Sequence, residues 1–271
     1  MADALLQAVR QGVKVYDLAR PMVAGMPQSP NHPEFRHVLP RRHGDSVRAD
    51  GGSAASDMFI LGGHVGTHID ALAHVSQDGV LHGGADALAA QAGGRFSSHG
   101  IDAIASGVCR GVLLDIPRTL GVTVCDPAYE VSVGDLQNAL DGAGLHLAPG
   151  DAVLIRTGWG QNWDDPTRYL GHATGVPGVG EAGARWLASH SPRLVGGDTI
   201  AFERLAAGAG HALLPAHRVL LVEAGINIVE TMALEDLAAA GVREFVFVVA
   251  PLNLVGATGS PLRPLALTSS A

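Results

Sequence analysis

The 271-residue sequence lacks the features that mark several large classes of protein. No apolar run approaches the roughly 20 residues that span a bilayer, so no membrane-crossing helix is expected. Only two cysteines occur, Cys109 and Cys125. They are too far apart for a CxxC knuckle and too few for a disulfide framework, so both read as small buried hydrophobes in a reducing compartment. Basic residues are scarce, 18 against 26 acidic, for a formal net charge of −8. That balance argues against nucleic acid or an anionic membrane as the main partner, because no basic face is available to displace phosphate counterions. There is no GxSxG elbow, no internal repeat and no low-complexity tract, which removes the sequence grounds for a serine hydrolase. Residues 1–20 carry Asp3, Arg10 and Asp17 and no apolar signal core. The expectation is a cytoplasmic protein.

What is present is a chain that is 47% apolar with 36 glycines, too apolar for disorder and without the triplet repeat of collagen. At this length about three quarters of the unfolded surface is buried, so the core needs no staple. Residues 3–12 read as a helix and 13–18 as a strand. The stretch 19–53 is rich in Pro, Gly, His and Arg with no clear period, and reads as a long arm or lid. Beyond residue 100 short apolar runs alternate with helical patterns. Strands are expected at 111–115, 152–156, 193–196, 226–229 and 244–249, and helices at 133–143, 178–189, 211–224 and 233–240. Ser132 and Asp135 form a capping-box pattern ahead of the first of these helices. The alternation predicts an α/β fold, and the irregular first third predicts a mixed sheet with flanking helices rather than a doubly wound one. A single domain over 1–271 is expected.

The chemistry is concentrated in Gly62-Gly63-His64-Val65-Gly66-Thr67-His68-Ile69-Asp70-Ala71-Leu72-Ala73-His74. Three histidines and an aspartate fall at i, i+4, i+6 and i+10, all of one parity, so an extended backbone puts them on one face. A straight strand of ten residues spans about 33 Å, too long for one small site. The chain must therefore bend, and Gly62, Gly63 and Gly66 are the residues that permit it. Two imidazoles and a carboxylate are a common ligand set for Zn²⁺, Mn²⁺ or Fe²⁺ at an open site.

This segment resembles the HxGTHxDxPxH signature of the cyclase family of metal-dependent hydrolases, which includes bacterial kynurenine formamidase and isatin hydrolase. Leu72 stands where the pattern has proline; this relaxes the loop before His74 and removes no ligand. Val15-Tyr16-Asp17-Leu18, Gly197-Asp198-Thr199, the stretch from His217 to Glu230, and Pro251-Leu252-Asn253-Leu254-Val255-Gly256 resemble further landmarks, so the resemblance covers most of the chain. It implies a swivelling β/β/α-like fold and a divalent metal, Zn or Mn. His64, His68 and Asp70 are implied as ligands and His74 as general acid/base. His217 and Glu230 are implied at a second metal position that Asp70 bridges, with His211 and Glu223 as nearby competitors. The resemblance also implies a homo-oligomer, a dimer or tetramer.

Beyond the motif, Thr67 reads either as a residue that orients a ligand by hydrogen bonding or as an ordinary turn residue. Asp198 reads as a helix cap. Trp159 and Trp163, after the 152–156 strand, are candidates for a wall against a flat substrate ring. Met26 and Phe35 are candidates for lid residues over the pocket. The expected activity is hydrolysis of an amide, an aryl formamide or a cyclic amide such as isatin. A cation would activate water and His74 would carry a proton to the leaving nitrogen. Within the family the alternative is a cyclase or lactone hydrolase of secondary metabolism; outside enzymes it is a non-catalytic metal-binding protein. His68, Asp70 and His217 also match the H-x-D…H pattern of non-haem iron oxygenases. Those enzymes need a many-stranded jelly roll, which the strand–helix alternation opposes.

Overall fold

The computed structural model describes residues 3–270. The strands are β1 Val13–Asp17, β2 Arg36–Arg41, β3 Ser56–Ile60, β4 His68–Asp70, β5 Gly107–Asp115, β6 Glu130–Val131, β7 Ala152–Arg156, β8 Gly178–Val179, β9 Leu194–Gly197, β10 Asn227–Glu230, β11 Glu244–Val249, β12 Gly259–Pro261 and β13 Leu265–Ser269. The helices are α1 Ala4–Gln11, α2 Ala87–Ala90, α3 Ile116–Leu120, α4 Val133–Ala143, α5 Pro166–Leu170, α6 Glu181–Ser189, α7 Pro215–His217 and α8 Glu235–Ala239. A π-helical stretch, Arg218–Ala224, continues α7.

Nine strands form one mixed sheet in the order β1-β13-β11-β5-β7-β9-β10-β4-β12. Its centre, β5-β7-β9-β10, is parallel. Antiparallel strands extend it on both sides. The parallel strands are apolar at nearly every position because both faces are covered. Val112, Leu114, Val153, Ile155, Val195 and Ile228 face a core shared with α4, α6 and the π-helical stretch. Their neighbours Leu113, Ala152, Leu154, Leu194 and Val229 face a second core with Phe245, Phe247 and Leu237. This two-sided burial makes short runs such as Ala152–Arg156 legible as strands.

The expected capping box is present. Ser132 Oγ accepts the Asp135 N–H at 3.2 Å, and Asp135 Oδ2 accepts the Ser132 N–H at 2.9 Å. Four expectations need correction. The helix expected over 211–224 starts at Pro215, whose fixed φ suits the first helical position, and 211–214 is irregular. The helix expected over 178–189 begins at Glu181, because Gly178–Val179 pairs with β6. Asp198 caps no helix; its carboxylate accepts the Thr157 N–H, the Thr157 hydroxyl and the Gly158 N–H. The 19–53 arm is not free of strand, since β2 pairs with β3 in a separate two-stranded sheet. Every residue of both strands is exposed, so no inside–outside alternation marks them in the sequence.

Phe247, fully buried on β11, fills space between the sheet and the segments over its face. Phe247→Ala should lower unfolding stability by about 3–5 kcal/mol, the usual cost of such a cavity, in urea titration followed by circular dichroism. A loss under about 1 kcal/mol would contradict the packing described.

Candidate metal centre

The motif bends where its glycines stand. Gly66 has φ +66°, a left-handed conformation that costs other residues energy. Only His68–Asp70 is strand; His64 precedes it on a turn and His74 follows it. The strand β4 lies antiparallel between β10 and β12. Its register sets Glu230 directly opposite His68, and Gly259 opposite Asp70. Directly opposed residues share a face of the sheet, as do residues two apart along a strand. His68, Asp70 and Glu230 therefore converge. Gly259 lets His64 approach, since a Cβ there would sit 2.5 Å from the His64 ring.

His68 donates Nδ1–H to the Gly66 carbonyl at 2.8 Å, which leaves Nε2 facing Glu230 Oε2 at 3.3 Å and Asp70 Oδ1 at 3.5 Å. His217, on α7, donates Nδ1–H to Glu203 Oε2 at 2.6 Å. Its Nε2 faces Glu230 Oε1 at 3.2 Å and Asp70 Oδ2 at 3.7 Å. His64 Nδ1 lies 2.7 Å from Asp70 Oδ1, and its Nε2 lies 2.9 Å from Thr258 Oγ1. The His74 ring stacks on His64 with centroids 3.8 Å apart. All but His74 are buried.

The donor set fits a divalent cation. Asp70 Oδ2 and Glu230 Oε1 are buried and accept no hydrogen bond. Both imidazoles next to them have given their Nδ1–H elsewhere, so lone pairs face carboxylate oxygens and positive charge is required between them. Without a cation, the pKa directions show the same demand for positive charge being met by protons on the rings. Burial alone would lower His68 and His217, but the Glu230 carboxylate, with Asp70 beside His68 and Glu203 beside His217, holds both imidazoles above their ordinary range. Burial would raise Asp70, yet the surrounding His74 and His64 hold it below the usual carboxylate range. Burial pushes His74 down to about 4. Ligand atoms of His64, Asp70 and His74 lie within 4.8 Å of one another, as do those of His68, Asp70 and Glu230. Asp70 is common to both groups.

Of the two pairs of competitors, His217 and Glu230 reach the cluster. Glu223 is bonded to Arg185 at 2.7 Å away from it. His211 lines the same small cavity as His64, His68, His217 and Glu230. Thr67 does not touch an imidazole; its hydroxyl accepts the Arg20 N–H at 2.9 Å and donates to the Thr231 carbonyl at 2.6 Å, which ties down the chain beside β4. Trp159 does not line the cavity beside the cluster. It is buried in a separate apolar group, with its indole N–H on the Tyr169 carbonyl at 2.8 Å. Trp163 packs edge-on against Tyr169. Met26 is buried near Gly66. Phe35 lines a neighbouring cavity of about 500 Å³ with Gly62 and Gly63. The sequence reading missed Glu203, which orients His217, and Ser29 and His32 of the arm, which line the cavity. Glu203 lies 14 residues from His217 with no motif around it, and only the fold joins them.

A family model described as "Putative cyclase" matches residues 16–204. Cyclase-like protein 3 of Oryza sativa subsp. japonica is 30% identical over 225 residues, which are 79% of this chain and 66% of that protein. The chain thus spans just under two thirds of that relative's length. Isatin hydrolase of Roseibium aggregatum is 26% identical over 227 residues, covering 82% of this chain and 78% of that one. A crystal structure described as a novel cyclase superposes with a TM-score of 0.84 at 28% identity, over 98% of this chain and 93% of its own.

His68→Ala should remove most bound divalent metal while circular dichroism stays folded, read as metal per chain by elemental analysis. Gly259→Ala, which touches no metal itself, should lower metal affinity roughly 10- to 100-fold by displacing His64, the usual weight of a residue that positions a ligand. Unchanged stoichiometry in His68→Ala would refute the cluster as the metal centre.

Proposed function

The chain belongs to the cyclase family, and on that footing we propose that it is a metal-dependent hydrolase of a small amide, an aryl formamide or a cyclic amide of the isatin type. The observation that carries this reading is the pair of buried, unpartnered oxygens, Asp70 Oδ2 and Glu230 Oε1, set among His64, His68 and His217. The relation to isatin hydrolase supports the reaction class. His64, His68 and Asp70 would hold one divalent cation, Zn or Mn, and Asp70, His217 and Glu230 have the donors for a second. A cation there supplies Lewis acidity to a carbonyl oxygen and makes water acidic enough to attack at neutral pH. Glu203 keeps the His217 Nε2 lone pair aimed inward. Neither ring nitrogen of His74 is engaged among the described residues, and burial keeps the ring neutral near pH 7. It is therefore free to take a proton and deliver it to the leaving amide nitrogen. The arm supplies Ser29 and His32 to the cavity, which excludes bulk water from the reacting groups.

A homo-oligomer, most simply a dimer, belongs to the same reading. The β2–β3 pair leaves Val38, Met58, Phe59 and Ile60 exposed, Phe59 at 61%. Apolar surface of this kind is what a second copy would cover. Among the described residues no helix is long and apolar enough to cross a membrane. Light scattering at micromolar concentration should return at least twice the 27.8 kDa chain mass; a monomer would refute the assembly.

The activity is tested by elemental analysis of purified protein and hydrolysis assays on N-formylkynurenine and isatin. Metal-dependent cleavage of either is expected. His74→Ala should keep its metal and lose about 10²- to 10⁴-fold in kcat, the usual worth of a general acid/base. Lactone opening without amide cleavage would move the protein to the lactone hydrolases, and metal binding with no turnover would leave a binding protein. Loss of metal in His74→Ala would make that residue a ligand.

A further inference from the structure

Three imidazoles face the paired carboxylates, and a protein group holds each at the ring nitrogen that turns away from them. For His68 that group is the Gly66 carbonyl and for His217 the Glu203 carboxylate, both at Nδ1, so Nε2 points inward. His64 is set the other way round. Its Nδ1 lies 2.7 Å from Asp70 Oδ1, and its Nε2 lies 2.9 Å from Thr258 Oγ1. Thr258 stands directly before β12, at the end of the loop that follows β11. Its carbonyl accepts the Ala71 N–H at 2.9 Å, so the threonine is tied to the motif through its backbone as well as its side chain. The bare backbone of Gly259 lies against the His64 ring, and His74 stacks on it. Turning this ring half a turn about its Cβ–Cγ bond would set Cδ2 against Asp70 and Cε1 against Thr258, and both hydrogen bonds would be lost. A cation bound between Nδ1 and Asp70 takes the place of the first bond. The bond to Thr258 is then the one that still orients the ring.

We propose that Thr258 is a positioning residue that presents His64 to the cation through Nδ1, opposite in sense to His68 and His217, which present Nε2. The choice of a hydroxyl fits that task. A carbonyl or a carboxylate only accepts, and so fixes its histidine in one tautomer. A threonine hydroxyl both donates and accepts. It therefore stays bonded to Nε2 whether the His64 hydrogen sits on Nδ1, toward Asp70, or on Nε2, as Nδ1 coordination requires. Valine at this position would keep the shape and leave Nε2 facing a methyl group, an uncompensated polar atom. This inference rests on the metal centre of the hydrolase reading and is independent of the substrate.

The test uses the full-length chain and its Thr258→Val and Thr258→Ser variants, with circular dichroism as the check on folding. Zn²⁺ affinity is measured by competition with a chromophoric chelator. Thr258→Val should bind about 10- to 100-fold more weakly, the usual weight of a group that orients a ligand, and Thr258→Ser should recover most of the loss. Long-range ¹H–¹⁵N spectra of the zinc-loaded, histidine-labelled protein report the tautomer of each ring and need no variant to fold. They should show a ring bound through Nδ1 beside rings bound through Nε2, and its Nε2–H signal should move in Thr258→Val and return in Thr258→Ser. Zinc-bound rings that all use Nε2 would overturn the proposal. So would equal affinity of wild type and Thr258→Val, or a serine variant as weak as the valine one. A chain that binds no zinc loses this proposal and the metal centre together. Zinc affinity that depends on Thr258 in a protein that cleaves no amide keeps the proposal and loses the hydrolase reading. Amide cleavage with indifferent Thr258 variants does the reverse.

Discussion

Two buried carboxylates, Asp70 and Glu230, face the same pair of imidazoles, and everything around them is arranged to let both stay ionised. An ion taken out of water costs several kcal/mol unless charge and hydrogen bonds compensate it. Here the facing imidazoles of His68 and His217 have their Nδ1 protons committed to Gly66 and Glu203. That commitment leaves two oxygens without a hydrogen-bond donor. A site so constructed is electrostatically incomplete by itself and is suited to hold a dication. The chemistry proposed for the protein follows from that incompleteness more directly than from any single residue.

The scaffold delivers these groups from separate parts of the chain. Glu230 ends β10, one of the parallel strands whose burial on both faces makes them rigid. β4 adds His68 and Asp70 beside it in fixed register, and α7, just ahead of β10, adds His217. Carboxyl ends of parallel strands are where open α/β sheets place their ligands, and the antiparallel β4 extends that edge with the motif. Close approach is allowed by Gly66, with its left-handed backbone, and by Gly259, which has no Cβ to meet His64. The arm then brings Ser29 and His32 over the cluster, while its β2–β3 pair remains exposed.

Legibility followed the physical period of each element. The strands at 152–156 and 244–249 and the helix at 133–143 were readable because an apolar run, or a capped helical pattern, leaves a local signature. β2 was not, because a strand exposed on both faces has no alternation to read. The start of α7 was misplaced by four residues, since an Ala- and Leu-rich stretch resembles a helix until Pro215 fixes where one can begin. Trp159 looked like a pocket wall from its place after a strand; packing put its ring in the core and its N–H on Tyr169.

The sequence by itself determined the kind of site. His64, His68, Asp70 and His74 sit within eleven residues at one parity among glycines, a spacing that local backbone geometry can turn into three ligands and a nearby proton carrier without help from elsewhere. It determined as well that the sheet would be mixed and helix-flanked. Which distant residues complete the site was decided only by tertiary structure. Glu230 over Glu223, the support of His217 by Glu203, and the entry of Ser29, His32 and His211 into the cavity all depend on strand register and on loops that cross the sheet. The physical reason is that a pairing register and a close approach of two backbones are properties of the whole packed sheet, which no local window of residues contains.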